Sequence, residues 1–313
     1  MVPALRDHPQ FSAYVALICV CFFWGTTYLG IRIALESFAP PALVSIRYII
    51  SGGVMLAGAR LAGVPIPRGP ELWRTAFNGV VILGIGNGCL SYAELWVPSG
   101  LAALYVTTSP FWMVGVDALI PPRQSLHGPT LRALFVGLAG TALLVAVPAW
   151  QALTGEGSSG GLAGFLLLQF GCAAWAVGSI RQRQQQARAH PFVSGAVQQL
   201  ACGLAWTIPA LLTPHAIHWG IHGPRRGGAA LAYLIVFGGI IGYSSFLMAI
   251  SRLPVAVASV YTYVNPVVAV FLGWLFYREP FGAWEAAAMV VIFAGVALVK
   301  RASAQAAGDG SKR

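Results

Sequence analysis

Aromatic and amide side chains occur in the middle of the long apolar segments of this 313-residue chain. A polar group buried in an apolar medium without a partner costs about 1–3 kcal/mol on mutational scales, so a surface facing lipid excludes it. Such side chains therefore either hydrogen-bond between helices or line a path that a solute contacts. The candidates for solute contact are Trp24, Tyr28, Arg47, Asn87, Tyr92, Tyr105, Trp175, Tyr243, Tyr261, Tyr263 and Asn265.

Two of the charged residues offer ionic chemistry. Arg47 lies a few residues into the apolar segment 40–62, and Glu94 lies near the end of segment 74–95. A charge at membrane depth costs about 2.5–3.5 kcal/mol on insertion scales, so each needs a partner. Two interpretations are open: Arg47 pairs with Glu94, or its planar guanidinium binds the carboxylate of a solute.

The residue types needed for catalysis or metal binding are poorly placed. The sequence has no paired acids, no HExxH motif, and no Ser or Cys beside a histidine within an apolar segment. His215 and His218 have helical spacing, but neither a carboxylate nor a cysteine joins them as a further metal ligand. We therefore predict no catalytic residue, no metal site and no cofactor.

The prolines Pro110 and Pro266 lie within apolar segments. A proline inside a helix removes one backbone hydrogen bond and clashes with the preceding turn. We predict a helix kink at each proline beside the solute path. A tolerated kink without a role in that path is the alternative.

The elements that position these residues are membrane-spanning helices. Hydrophobic residues make up 57% of the chain and charged residues 9%, whereas soluble domains carry roughly 25% charged residues. Apolar runs of about 20 residues cross about 30 Å of hydrocarbon as helices. We predict an all-α integral membrane protein with ten transmembrane helices, at residues 12–35, 40–62, 74–95, 99–120, 130–147, 161–181, 192–213, 229–251, 254–277 and 282–299.

The cations are distributed asymmetrically between the two sides of this arrangement. Fourteen of the 19 Lys and Arg fall on one side, and only Arg225, Arg226 and Arg278 fall in loops on the other. The positive-inside rule places the richer side and both termini in the cytoplasm. The net charge of +10 then faces the inner leaflet, so we expect a multi-pass protein of the inner membrane with no nucleic-acid partner.

An internal repeat relates the two halves of the chain. A shift of 156 positions aligns "PSGLAALYVTTSPFWMV" with "PVAVASVYTYVNPVVAV" and pairs Val80 with Val236. Each unit then contains five helices, and because five is odd, the second unit enters the membrane inverted. Inverted repeats are typical of secondary transporters. We predict two inverted five-helix repeats over residues 1–150 and 151–300, followed by a cytoplasmic basic tail over 301–313.

Several segments are similar to a known family. "CFFWGTTYLGIRIAL", "PPALVSIRYIISGGVMLAG", "SGLAALYVTTSPFWMVGV" and "GCAAWAVGSIRQR", in this order, resemble the EamA family of the drug/metabolite transporter superfamily. The resemblance covers nearly the whole chain and implies a ten-helix exporter or permease that works by alternating access, often on amino acids or related metabolites. The acidic residue often found after one helix of each half in this family is present as Glu279, but "PPRQSLHG" in the first half lacks it.

The residues and the resemblance together predict a transporter and no enzyme, with a small-molecule solute and the lipid bilayer as partners. A site rich in aromatic and amide groups suits a neutral or zwitterionic molecule with some apolar surface, such as an amino acid. A flippase for a lipid or a lipid-linked sugar is the alternative, and a membrane-embedded enzyme is the least favoured class. The solute, the direction of transport, the coupling ion and the oligomeric state stay open at this stage.

Overall fold

The apolar runs of the sequence form helices. The computed structural model describes residues 11–121, 128–154, 160–185, 189–218, 223–253, 257 and 260–310. Apart from one isolated bridge between Phe38 and Ile217, the regular elements within these ranges are helical. In chain order they are α1 (Phe11–Ala34), α2 (Pro40–Leu61), α3 (Gly69–Ala93), α4 (Ser99–Val106), α5 (Ser109–Leu119), α6 (Gly128–Thr154), α7 (Gly160–Gln184), α8 (Pro191–Leu212), α9 (Pro224–Arg252), α10 (Tyr261–Tyr277) and α11 (Ala283–Gly310).

The helices overlap all of the predicted spans. Of the span predicted at 254–277, α10 covers Tyr261–Tyr277, and residues 254–256, 258 and 259 lie outside the described residues. The span predicted at 99–120 is divided into α4 and α5 by a turn at Thr107 and Thr108. Among the described residues, α1, α2, α3, α7, α8 and α9 are long and apolar enough to cross a membrane. Shorter apolar helices lie at Leu131–Leu144, Tyr261–Tyr277 and Ala283–Leu298. The all-helical membrane fold is therefore present, while the number of ten spans stays a prediction.

Two helices contain π-helical segments, Val80–Ile85 in α3 and Leu234–Tyr243 in α9. The shift of 156 positions carries residues 80–85 onto 236–241, which lie inside the second segment. π-Helical insertions are rare and often occur at functional sites. Their occurrence at equivalent positions supports the two-repeat interpretation of the sequence.

Helices of the two halves pack against one another throughout the bundle. α2 packs along α8 and α6 along α11, so equivalent helices of the two halves form two close pairs. α1 packs against α9 and α10, while α3, α4 and α5 pack against α7. Exchanging the two halves leaves this set of contacts unchanged, as a pseudo-two-fold arrangement of repeats requires.

Glycines allow the two close pairs to approach. A Cβ atom on Gly52 would lie 2.5 Å from the backbone nitrogen of Leu200, and one on Gly203 would lie 2.5 Å from that of Ile49. The α6–α11 pair has the same relation at Gly140, whose Cβ would meet backbone of α11 at 2.7 Å. Small residues give membrane helices the close packing that replaces a hydrophobic driving force. The remaining helices surround the centre of the bundle.

Candidate functional site

A cavity of about 100 Å³ lies at the centre of the bundle. Its wall is built from α1 to α5 of the first half and from α7, α9 and α10 of the second half. The contact between repeats is where an inverted-repeat transporter places its solute. Eight of the candidates for solute contact line the cavity, namely Trp24, Tyr28, Arg47, Asn87, Trp175, Tyr243, Tyr261 and Asn265.

The other three candidates lie elsewhere in the structure. Tyr92 is half-buried with its ring 6.2 Å from that of Trp206, Tyr105 packs on Phe165, and Tyr263 packs on Phe293. Helical geometry explains these placements, because side chains one or two positions apart on a helix point about 100° or 200° away from one another. The cavity is therefore lined by Leu90 near Tyr92, by Val106 next to Tyr105, and by Tyr261 and Asn265 on either side of Tyr263.

Several lining residues carried no polar signal in the sequence. Gly86, Gly171 and Gly238 face the cavity and provide room in its wall, and Cys172 lies beside them. Tyr48 also lines it, although it directly follows Arg47 in α2. Glycines spaced through an apolar helix are the one feature that would have suggested this wall, since they mark a close approach or an open space.

Aromatic rings close one side of the cavity. The ring of Trp24 lies 5.5 Å from Trp175 and 5.4 Å from Tyr261, both in edge-to-face geometry. Trp24 also donates a hydrogen bond from Nε1 to the Gly238 carbonyl at 3.3 Å, inside the π-helical segment of α9. Edge-to-face pairs of this kind contribute about 0.5–1.5 kcal/mol each beyond their buried area. The cluster therefore packs together as one unit that presents ring surface to the cavity.

Phe246 joins this cluster from the side opposite to the cavity. Its ring lies 5.1 Å from Trp24, 5.6 Å from Trp175 and 5.8 Å from Tyr261. The same side chain lines a second cavity of about 340 Å³, together with Gln182 and other residues. Phe246 thus lies between the two cavities. Its position could not be predicted from the sequence, because an apolar ring in an apolar helix has no distinguishing signal.

The guanidinium group of Arg47 contacts an aromatic ring but has no hydrogen-bond or ion-pair partner among the described residues. Its side chain is 5% exposed and lies 4.9 Å from the ring centre of Tyr48. Within the described part of the chain it forms no hydrogen bond and no ion pair, and its Nε is buried without a partner. A Cβ on Gly238 would lie 2.6 Å from its Nη2, so a larger residue at this position would displace the guanidinium group. The predicted pair with Glu94 is not formed in this structure.

Glu94 is buried beyond the cavity wall at the end of α3. Its side chain is 0% exposed, and neither carboxylate oxygen has a hydrogen-bond partner in the part of the chain that the structure describes. Arg32 donates from Nη1 to the backbone carbonyl of Glu94 at 2.6 Å, so its contact is with the backbone. A buried charge without a partner is costly. The Glu94 carboxylate and the Arg47 guanidinium therefore both have hydrogen-bonding capacity that the described residues leave unused.

The prolines and Asn265 shape α5 and α10. Pro110 lies in the first turn of α5, where a missing N–H costs no helix bond, and Pro266 lies inside α10. Asn265, one residue earlier, donates to the backbone carbonyl of Cys21 at 2.9 Å and to that of Tyr261 at 3.1 Å, in the amide orientation that satisfies both of its polar atoms. The helix break in the first half precedes Pro110, at Thr107 and Thr108.

A hydrogen-bonded network of amides connects the cavity wall to one end of the bundle. Tyr243 donates to Gln198, Gln198 donates to Gln182 at 2.7 Å, and Asn78 donates to Gln182 at 3.2 Å and to Gln185 at 3.3 Å. We call this end of the bundle, where Asn78, Gln182 and Gln185 lie, the Gln182 end. The network joins α3 of the first half to α7, α8 and α9 of the second.

At the opposite end of the bundle, charged residues connect helices of the two halves. We call this the Glu279 end, after the acid that follows α10. Glu36 forms an ion pair with Arg226 at 3.4 Å, and both contact the hydroxyl of Tyr277. The Glu279 carboxylate accepts hydrogen bonds from Ser99 at the start of α4. The segment of the first half that lacks an equivalent acid includes residues 122–127, which lie outside the described residues.

Metal-binding residues are not gathered anywhere in the described ranges. No group of three or more His, Cys, Asp or Glu side chains with the spacing for a metal occurs there. His218 contacts the backbone carbonyl of His215 at 3.3 Å, and His222 falls outside the described residues. The candidate site therefore consists of aromatic rings, amides and isolated charges.

Known proteins resemble this chain over nearly its whole length. The profile described as "EamA-like transporter family" matches it twice, over residues 11–146 and 162–301. "Uncharacterized inner membrane transporter YedA" of Escherichia coli (strain K12) is 32% identical over 292 residues, covering 93% of this chain and 90% of the relative. A "Probable terminal-alkyne amino-acid exporter" of Streptantibioticus cattleyicolor is 24% identical over 296 residues, covering 93% and 94%.

A solved crystal structure shares the fold. It matches with a TM-score of 0.67 at 20% identity and covers 92% of this chain and 97% of its own. The profile match in both halves and the relative at 32% identity agree with the apolar helices and with the central cavity. The chain is a membrane transporter that belongs to the EamA-like transporter family.

Proposed function

We propose that this transporter carries a small neutral or zwitterionic solute with some apolar surface, such as an amino acid, across the inner membrane. The observation that supports this most directly is a cavity between the halves that combines aromatic rings, amides and the unpaired guanidinium of Arg47. Ring surface suits the apolar part of such a solute, and a guanidinium suits its carboxylate. The relative named as a probable amino-acid exporter supports this class of solute and the outward direction.

Alternating access is the mechanism we propose. A cavity of about 100 Å³ is small beside the ~300–1,000 Å³ of typical ligand sites, so a solute can bind only if the wall moves. The side-chain contacts of Asn78 at the Gln182 end, and those at the Glu279 end, join helices of both halves, and breaking one set would open the cavity on that side. The two inverted repeats, over 1–150 and 151–300, would then move against each other.

The orientation in the membrane follows from the cations. We propose that the Gln182 end faces the cytoplasm with both termini and that the Glu279 end faces outward. The cytoplasmic side then carries 14 of the 19 Lys and Arg, in accordance with the positive-inside rule.

Transport in proteoliposomes tests the proposal. Purified protein is reconstituted into vesicles loaded with one of a panel of labelled amino acids, sugars and sugar phosphates, and efflux and exchange are measured. We expect saturable exchange of at least one amino acid, which Arg47→Gln abolishes at equal incorporation and the exposed-site control Arg132→Gln does not. Robust transport of a sugar phosphate without any amino acid would contradict the proposed solute class.

The same vesicles separate solute transport from lipid movement. Fluorescent phospholipid in the inner leaflet becomes accessible to an external quencher only when a flippase moves it. We expect no protein-dependent change in that signal. Lipid movement without solute exchange would replace the proposal by the flippase alternative.

A further inference from the structure

A groove at the Gln182 end lies on the outer surface of the bundle, between α3 and α7. It has a volume of about 390 Å³ and is lined by Trp73, Arg74, Phe77 and Asn78 on one side and by Arg181 and Gln185 on the other. It is separate from the central cavity and shares no lining residue with it. The central cavity therefore does not account for this groove, although Asn78 and Gln185 in its lining also belong to the contacts at the Gln182 end.

Two arginines converge on the groove from different helices. Arg74 and Arg181 are both exposed, and neither forms an ion pair or a hydrogen bond with any residue in the described ranges. Two uncompensated guanidinium groups facing one space match a phosphodiester, because each offers a planar fork of N–H donors to its oxygens. The ligand that fits this charge is an anion with phosphate chemistry.

Aromatic residues beside the arginines suit a ligand that also has an apolar part. Trp73 is 75% exposed and Phe77 is 57% exposed, and both lie along the groove on the outer face of an apolar helix. Tryptophan near the end of a membrane helix lies at the level of the lipid headgroups. Acyl chains beside Trp73 and Phe77 would place a lipid phosphate next to the arginines.

Asn78 provides a third feature of the groove. It is 0% exposed, and its Nδ2 donates to Gln182 and Gln185, while its Oδ1 is buried without a partner. An unsatisfied buried acceptor costs about 1–3 kcal/mol, so a hydroxyl donor from a ligand would be favoured there. A headgroup that carries both a phosphate and a hydroxyl satisfies the arginines and this acceptor together.

We propose that the groove between α3 and α7 is a binding site for an anionic phospholipid with a hydroxyl-bearing headgroup, such as phosphatidylglycerol. Basic pockets between helices on the cytoplasmic side of membrane proteins are known to hold anionic headgroups. The lipid lies with its phosphate between Arg74 and Arg181, its glycerol hydroxyl at Asn78, and its acyl chains against Trp73 and Phe77.

Thermal unfolding of the purified full chain in detergent tests the site. Phosphatidylglycerol is added to the wild type, to the double variant Arg74→Gln with Arg181→Gln, and to a control with Arg60→Gln and Arg132→Gln. The control removes two exposed arginines outside the groove, so both variants lose the same charge. A ligand that binds only the folded state raises Tm, so we expect the lipid to shift wild type and control alike and the groove variant by about half as much or less.

Two further additives identify the ligand chemistry. Phosphatidylmethanol has the same charge without the hydroxyl, and we expect it to stabilise the wild type less than phosphatidylglycerol does. Glycerol phosphate has no acyl chains, and we expect it to have no effect. The proposal is overturned if the two double variants respond equally to phosphatidylglycerol, or if glycerol phosphate gives the full shift, which would indicate a site for a soluble phosphate. Native mass spectrometry of the lipid retained by each variant gives the same comparison without unfolding.

Discussion

The carboxylate of Glu279 caps the helix that begins at Ser99, although the two residues belong to different halves of the chain. Oε1 of Glu279 accepts from the backbone nitrogen and from Oγ of Ser99, each at 2.9 Å, and Oε2 accepts from the backbone nitrogen of Gly100 at 2.9 Å. A negative charge at a helix N-terminus is stabilised by the N–H groups exposed there. This cap ties the end of α10 to the start of α4.

The cap should contribute measurably to stability. Glu279→Gln removes the charge but keeps the shape, and we expect it to lower the free energy of unfolding by about 1–2 kcal/mol. Ser99→Ala removes only the hydroxyl and should cost less. Because the two groups share hydrogen bonds, the double variant should lose less than the two single losses added together. Thermal unfolding in detergent measures the cycle, and strictly additive losses would mean that the contact has no energetic role.

Arg47 should act on transport more than on folding. Because its guanidinium has no hydrogen-bond or ion-pair partner in the described residues, Arg47→Gln should leave the amount of folded protein nearly unchanged. Transport should fall at least about tenfold, which corresponds to ~1.4 kcal/mol. The exchange of Arg47→Glu with Glu94→Arg decides between the two sequence interpretations. If the single variant loses folded protein and the charge exchange recovers it, the interpretation of Arg47 and Glu94 as a structural pair is correct.

Phe246 should limit access from the Gln182 end to the central cavity. Phe246→Ala removes the ring between the two cavities, so Cys172 in the central wall should become more reactive to a small thiol reagent added at that end. We expect the labelling rate to rise about tenfold, a shift of ~1.4 kcal/mol in the opening equilibrium. The other cysteines, Cys19, Cys21, Cys89 and Cys202, are first replaced.

A matched control for this experiment is Phe237→Ala on the same helix. Phe237 stacks on Phe23 and does not line either cavity. It should therefore leave Cys172 labelling unchanged. Equal labelling in the two variants would show that loss of any ring from α9 loosens the bundle and that Phe246 is not the barrier.

The membrane orientation can be determined with single cysteines in a cysteine-free background. Positions in 183–190 should react only with a reagent on the cytoplasmic side, and positions in 216–226 only with a reagent outside. Ala189 and Ile217 are suitable sites because each lies in a connection between helices within the described ranges. The reverse pattern would contradict the orientation inferred from the distribution of Lys and Arg and the assignment of the Gln182 end to the cytoplasm.

The helices could be predicted from the sequence because the hydropathy of consecutive residues is sufficient to identify a membrane helix. A run of about 20 apolar residues has no other stable form than a buried or membrane helix, and the predicted spans overlap the helices closely. The break at Thr107 and Thr108 was not predicted, since Pro110 suggested a kink at its own position. The π-helical segments also gave no signal, because one extra residue in a helical turn leaves the hydropathy unchanged.

The residues that line the cavity could be predicted only in part. The sequence shows how deep in the membrane a residue lies along its helix, but it indicates only weakly which way the side chain faces. Trp24, Asn87 and Tyr261 were found from their depth, and they face the cavity. Tyr105 has a similar depth but packs against Phe165, since both sides of a helix in the middle of this bundle are buried in protein. Phe246 was missed for the opposite reason, since only its neighbours reveal its position between two cavities.

The glycines of the close helix pairs determine where this sequence can vary. A side chain at Gly52 or Gly203 would meet backbone atoms of the facing helix, which cannot turn aside as a side chain can. Overpacking of this kind costs about 1–3 kcal/mol or more. Trp24 and Tyr261 in the wall of the central cavity adjoin the cavity itself, so we expect a change of side-chain size there to alter the cavity without meeting facing backbone. A mutant library selected for a new solute should therefore collect its changes around Trp24 and Tyr261, while Gly52, Gly203 and Gly140 stay as they are.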